Sequence, residues 1–235
     1  MVGVPRHVAI IMDGNRRWAQ QHGLSVAEGH AKGVAAVQEA VQAAVLHGVE
    51  FLTLYAFSTE NWNRSPEEVD ALMELIGQAI ATYGDRLLAQ GVRVRVLGDI
   101  SRLPRAVQLG IMEASAKCPQ EHRLELLVAL NYGARQELVR AARGLAQAVQ
   151  AGALAVEAID EAAFASHLYT AGVPDPELLI RTSGEQRLSN FLLWQLAYTE
   201  LVFLPVLWPD FTQAHFAEAL AAYRQRERRF GGTRR

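Results

Sequence analysis

The hexapeptide Asp13-Gly14-Asn15-Arg16-Arg17-Trp18 sets a carboxylate, an amide, two guanidiniums and an indole directly behind the apolar run Val8-Ala9-Ile10-Ile11-Met12. Those side-chain types suit a Mg²⁺–diphosphate pair, with the Asp on the metal and the Arg forks on phosphate oxygens. The plainer alternative is a strand followed by a capped helix whose arginines face water. A second set, Ser58-Thr59-Glu60-Asn61-Trp62-Asn63-Arg64, follows another apolar run and again offers Asn, Trp and Arg. Ser and Asn also build ordinary turns through local backbone hydrogen bonds, but two successive run ends of this composition favour a site. A third set, Arg181-Thr182-Ser183-Gly184-Glu185-Gln186-Arg187-Leu188-Ser189-Asn190, holds two arginines around a glycine and several hydroxyls. Such a loop can wrap an anion with guanidinium and backbone N–H donors. A solvated polar loop is the alternative, weakened by Phe191-Leu192-Leu193-Trp194, which returns the chain to the core. Glu200 stands among Leu196, Ala197, Tyr198, Leu201, Val202 and Phe203. An acid there is costly unless it is paired with an Arg or bound to a metal. His30 opens an apolar helix and is either a surface residue or a phosphate ligand at a helix N-terminus.

These groups need elements to hold them. Strand-like and helix-like segments alternate along the chain, which predicts one α/β domain spanning residues 1–235. It would be built on a parallel sheet with helices on both faces. In such a sheet, loops at the carboxyl ends of strands bind ligands, so the first and second sets would share one rim. After the first run, Val34, Val37, Val41 and Val45 mark one face of a helix over 30–47, closed by Gly48. The run 51–57 is a central strand. Ser65-Pro66-Glu67-Glu68 starts a helix that runs to about Gln90. Val92-Arg93-Val94-Arg95-Val96 alternates as an edge strand does. Helices follow over 104–117, 134–150, 160–168 and 212–229, with strands at 124–130, 178–181 and 201–204.

The bulk properties exclude several classes. Lys plus Arg number 23 against 25 Asp plus Glu, a net charge of −2, which gives no support to nucleic-acid binding. Cys118 is the single cysteine, which rules out an internal disulfide or a thiolate zinc cluster and suits a cytoplasmic setting. No apolar run approaches the ~20 residues of a membrane span, so membrane contact would be peripheral, at the inner face. The chain lacks the dinucleotide, Walker-A, nucleophile-elbow and zincin motifs.

Taken in order, Asp13 to Trp18, Gly29-His30, Ser58 to Arg64, Asn131-Tyr132-Gly133, Arg181 to Phe191, Trp208-Pro209-Asp210-Phe211 and Arg228-Arg229-Phe230-Gly231-Gly232 resemble the cis-prenyltransferases, closely the bacterial undecaprenyl diphosphate synthases. The resemblance implies a homodimeric α/β fold, with a roughly six-stranded, mostly parallel sheet flanked by helices, that condenses isopentenyl diphosphate onto an allylic diphosphate, usually farnesyl diphosphate, forming Z double bonds. It implies that Asp13 is catalytic and, with Glu200, holds Mg²⁺. Gly14, Asn15, Arg16, Arg17, Trp18 and His30 match the allylic-substrate residues. Arg181, Arg187 and Ser189 match the isopentenyl-diphosphate residues, and Leu188 sits among them. Ser58, Thr59, Glu60, Trp62 and Arg64 complete the substrate contacts. Asn61 matches the family's proton-acceptor position. An Asn is a poor base, so orientation of substrate, or of a proton path ending on diphosphate, is the better reading. Leu72, Leu75, Ile76, Ile80 and Ala56 either line a groove for the growing chain or, as most such aliphatics do, form ordinary core.

Two positions depart from the pattern. Val26 stands where the family usually carries an Arg that helps bind diphosphate, which implies weaker substrate binding or compensation by Arg16. Ala134 replaces a Gly. Ala56 implies products of about ten or eleven units, a lipid-carrier precursor for the cell wall, while Val34 narrows the groove slightly. The competing classes are a non-catalytic partner subunit, which would lack Asp13, and a Mg²⁺ phosphohydrolase, which would need an Asp where Asn15 stands.

Overall fold

The computed structural model describes residues 3–226. The Arg228-to-Gly232 motif and the end of the predicted last helix lie outside the described residues. Six strands, β1 (His7–Ile11), β2 (Phe51–Ser58), β3 (Val92–Leu97), β4 (Leu124–Tyr132), β5 (Leu178–Arg181) and β6 (Glu200–Phe203), form one sheet in the order β3-β4-β2-β1-β5-β6. Every pairing is parallel, so the carboxyl ends of β1 and β2 share one rim, as expected, and that of β5 joins them. Strand β3 lies at the edge, which explains its alternation of Val with Arg.

Side chains alternate across a strand, and β1 feeds both faces. Val8 and Ile10 pack with α2 (Val26–His47) and α7 (Gln213–Arg224), while Ala9 and Ile11 pack with Leu179, Phe191 and Leu192. Helices α3 (Pro66–Ala89) and α4 (Arg105–Ala116) cover the β3 end on the α2 side. Helices α5 (Ala134–Gln150) and α6 (Glu161–Ala165) complete the fold.

The structure decides one alternative and extends the sequence reading in two places. Of the loop and the helix that the residues after β1 allow, it has the helix, α1 (Asn15–Gln21). Helix α2 begins four residues before the predicted start. Ser25 caps it by accepting from the Glu28 N–H, and the Glu28 carboxylate returns to the Ser25 N–H at 2.8 Å, a capping box. Residues 59–63 form a 3₁₀ turn rather than an open loop. Helices α1 and α2 approach closely because α2 carries glycine where they meet. A Cβ on Gly29 would stand 2.5 Å from the Asn15 carbonyl oxygen, and one on Gly33 2.4 Å from Asn15 Oδ1. Among the described residues no helix is long and apolar enough to cross a membrane.

Candidate active site

Asp13 follows β1 and is fixed through its backbone. Its N–H donates to Thr182 Oγ1 (2.9 Å), and its carbonyl accepts from Thr182 Oγ1 (2.7 Å) and the Trp208 N–H (3.0 Å). Its carboxylate takes a charge-assisted bond from Arg181 at 2.9 Å on Oδ2, while Oδ1 has Arg17 at 3.8 Å. Around it, Met12, Gly14, Asn15, Arg16, Arg17, His30, Arg64, Glu185 and Arg187 line a polar pocket of about 410 Å³. Residues from three separate sequence sets thus converge.

In this structure the acids hold the arginines in place. Arg17 donates to Ser183 Oγ (2.6 Å) and pairs with Glu185 (3.2 Å), which also pairs with Arg187. Glu68 joins four elements: it pairs with Arg16 from α1 at 2.5 Å and with Arg64 at 2.9 Å, and it faces His30 of α2 at 3.8 Å. The last distance is too long for a hydrogen bond, and His30 Nε2 is buried without a partner, as is Asn15 Oδ1. Burial, and then Arg64, hold the His30 pKa below its ordinary value, so at neutral pH the ring is chiefly neutral. Glu68 and Glu185 were not singled out from sequence. Glu68 had a legible signal, since it lies four residues after Arg64 and such helical pairs interact.

The third set closes the rim. Arg181, almost fully buried, donates to Ser189 Oγ (2.9 Å) and to the Arg187 carbonyl, and its Nε has no partner. Ser183, Ser189, Asn190 and Leu192 all have positive φ, a conformation that costs energy in non-glycine residues and clusters at functional sites. Asn190 donates to Glu60 at 2.9 Å and accepts from the Arg135 N–H at 2.9 Å, which ties this loop to the 3₁₀ turn and to α5. Leu188 packs against the buried cluster beneath. Asn61 Oδ1 accepts from the Ser58 N–H at 2.9 Å, so its acceptor oxygen is occupied and its NH₂ remains to donate. Trp62 donates to Asn131 Oδ1 at 2.7 Å, and Thr59 Oγ1 is buried without a partner.

Ser58, Thr59, Glu60, Asn61, Trp62, Arg181, Leu188 and Ser189 flank the polar pocket without lining it, and two other predicted residues are engaged elsewhere. Trp18 does not line the polar pocket; its indole N–H donates to Asp210 at 2.8 Å and its ring stacks on His22. Glu200 opens β6 opposite Leu178, whereas Arg181 faces Ile11. That places Glu200 about 10 Å back along the strands and about 10 Å across them from the Asp13 rim. One ion with oxygen ligands near 2.1 Å cannot bridge Asp13 and Glu200 of one chain.

An apolar cavity of about 200 Å³ leads from the polar pocket, sharing Met12, Asn15 and His30 with it. Val34 and Val37 of α2, Leu72, Leu75, Ile76 and Ile80 of α3, Ala56 and Leu54 of β2, and Val94 and Val96 of β3 line it. The predicted groove residues therefore do share one channel, and it opens on the arginines.

The family model of undecaprenyl diphosphate synthases matches residues 11–231. The chain is 52% identical to an isoprenyl transferase of Geobacillus kaustophilus, over 97% of this chain and 89% of that one. It is 45% identical to a farnesyl-diphosphate-specific ditrans,polycis-undecaprenyl-diphosphate synthase of Micrococcus luteus, over 97% and 92%. The crystal structure of lavandulyl diphosphate synthase from Lavandula x intermedia with dimethylallyl diphosphate superposes with a TM-score of 0.94 at 43% identity, over 97% and 98%.

Proposed function

The chain belongs to the undecaprenyl diphosphate synthase family of prenyltransferases, and we propose that it elongates an allylic diphosphate, farnesyl diphosphate in the first instance, with isopentenyl diphosphate to a polyprenyl diphosphate of about ten or eleven units. The observation that carries this reading is the junction of the arginine-lined pocket with the apolar channel at Met12, Asn15 and His30. A diphosphate ester with an isoprenoid tail needs both chemistries side by side. The tail gains ~0.8 kcal/mol per buried CH₂, and the head meets Arg16, Arg17 and Arg64 once it displaces Glu68 and Glu185.

The allylic C–O bond breaks as charge builds on the leaving diphosphate, so cations fixed at those oxygens stabilise the transition state more than the ground state. Arg17 and Arg16 hold that head, with Asn15 supplying amide contacts. Arg187 and Ser189, on the loop anchored by Arg181, hold the second diphosphate so that its alkene lies beside the forming cation. The Asn61 NH₂ orients a diphosphate oxygen that accepts the departing proton. The donor set fits Mg²⁺ arriving with a diphosphate. Asp13 offers Oδ1, and no cluster of three metal-ligating side chains exists among the described residues, which suits an ion that takes one carboxylate and completes its shell with phosphate and water. When bound it supplies charge neutralisation of the leaving group. A role for Glu200 at that ion requires a second copy of the chain, consistent with a homodimer.

The test is incubation with farnesyl diphosphate, labelled isopentenyl diphosphate and Mg²⁺, following the released anion. Stoichiometric diphosphate with growing labelled lipid is expected. Inorganic phosphate without lipid would establish hydrolysis instead.

A further inference from the structure

The apolar channel is shorter than the proposed product. Its lining on α3 runs from Leu72 to Leu87, about 22 Å at 1.5 Å per residue. An extended chain advances about 3.5 Å per three bonds, so a four-bond isoprene unit takes roughly 4.7 Å, and the channel accommodates about five units. Folding back would double the cross-section within close-packed walls. A longer chain has to leave through the wall.

The wall offers two openings. One, between α2 and α3, shares His30, Leu72 and Leu75 with the channel and lies at the mouth, where it meets only the first units. The other lies eight residues deeper, between α3 and α4. There a separate cavity of about 220 Å³, lined by Gly77, Ala81, Ala106, Val107 and Gly110, shares Ile80, Gly84 and Ala114 with the channel. The partition is thin. A Cβ at Gly84 would have nothing within 4 Å, and one at Gly110 would stand 3.2 Å from Ile80 Cγ2. The outer rim is spanned by Lys117 with Asp85 (2.8 Å) and Glu113 (3.1 Å), exposed pairs too weak to hold a cleft shut.

We propose that the cavity between α3 and α4 is the outlet through which the distal end of the product leaves the channel, with Ile80 as the partition. This rests on the reading of the enzyme as a long-chain synthase. The experiment resolves products by chain length for the native enzyme, for Ala81→Phe and Ala106→Phe, which fill only the outer cavity from exposed positions on its two sides, and for Ile80→Ala. Both Phe variants should cut products beyond six units at least tenfold while leaving the first condensation unchanged, and Ile80→Ala should shift the distribution upward. Phe variants that make products of native length would overturn the outlet alone. A native enzyme that stops at five units would overturn the long-chain reading, and the outlet with it.

Discussion

Restoring an arginine at position 26 measures how much of the allylic diphosphate's binding is missing from this site. Val26 is the first residue of α2, one turn before His30, and lines the groove that continues past Ser65 and Glu68. A guanidinium there gains one charge-assisted hydrogen bond to diphosphate, about 1.5–3 kcal/mol. A cation in the first turn of a helix opposes the macrodipole by about 0.3–1 kcal/mol. Glu68 is already engaged by Arg16 and Arg64, so the exposed Glu67 is the competing acid. The net gain centres near 1.5 kcal/mol, roughly a tenfold lower KM for the allylic diphosphate, with kcat unchanged if the bond is equal in ground and transition states. Initial rates of a single condensation, with the allylic substrate varied and isopentenyl diphosphate saturating, read it directly. The alternative, compensation by Arg16, predicts instead that KM changes little in Val26→Arg and that Arg16→Ala raises KM more in the native enzyme than in Val26→Arg. An unchanged KM in both Val26→Arg and Val26→Arg/Glu67→Gln would refute the reasoning.

Three further predictions follow from the packing. Ala56→Leu narrows the channel where β2 lines it and should shorten the products; an unaltered length distribution would mean that the tail lies elsewhere. Gly29→Ala drives a Cβ to 2.5 Å from a backbone oxygen of α1, and thermal or denaturant unfolding should show about 1–3 kcal/mol of destabilisation, with activity falling as Asn15 shifts. His7 is buried between the Pro174 carbonyl (2.6 Å) and Thr53 Oγ1 (2.7 Å), and burial lowers its pKa to about 4. The unfolded chain therefore binds the extra proton first. This contribution to stability is complete above about pH 6.5 and is lost as pH falls to about 4, on the order of 3 kcal/mol. Unfolding measured against pH should show that slope in the native protein and lose it in His7→Gln; equal slopes would contradict the assignment.

Strands β1, β2 and β5 were legible because each is a short apolar run ending at a polar set, and a parallel sheet buries its inner strands on both faces, while β3 was legible by its edge-strand alternation. The convergence of Asp13 and Arg17 with Arg64 followed from strand ends sharing a rim, whereas Arg187 joins them because β5 pairs beside β1. What sequence could not give was long-range pairing. Arg181 reads as a ligand for an anion, yet in the fold it locks Asp13 to the loop at Ser189. Trp18 reads as a substrate contact, yet its N–H is spent on Asp210, 192 residues away. An acid among apolar residues left Glu200 open to an Arg or a metal, and the resemblance made it a partner for Asp13. Only the register of β5 with β6 shows the two carboxylates at opposite ends of the sheet. Helix α1 was one of two readings that the sequence left open, because its first turn carries the same residues that suggested a binding loop.

The most direct test of the account is metal-dependent elongation by the native enzyme and by Asp13→Ala, with labelled isopentenyl diphosphate and farnesyl diphosphate and with products resolved by length. The account predicts a ladder of polyprenyl diphosphates that requires Mg²⁺ and is abolished by the substitution. A ladder that persists in Asp13→Ala, or that forms fully in the presence of a chelator, would contradict it.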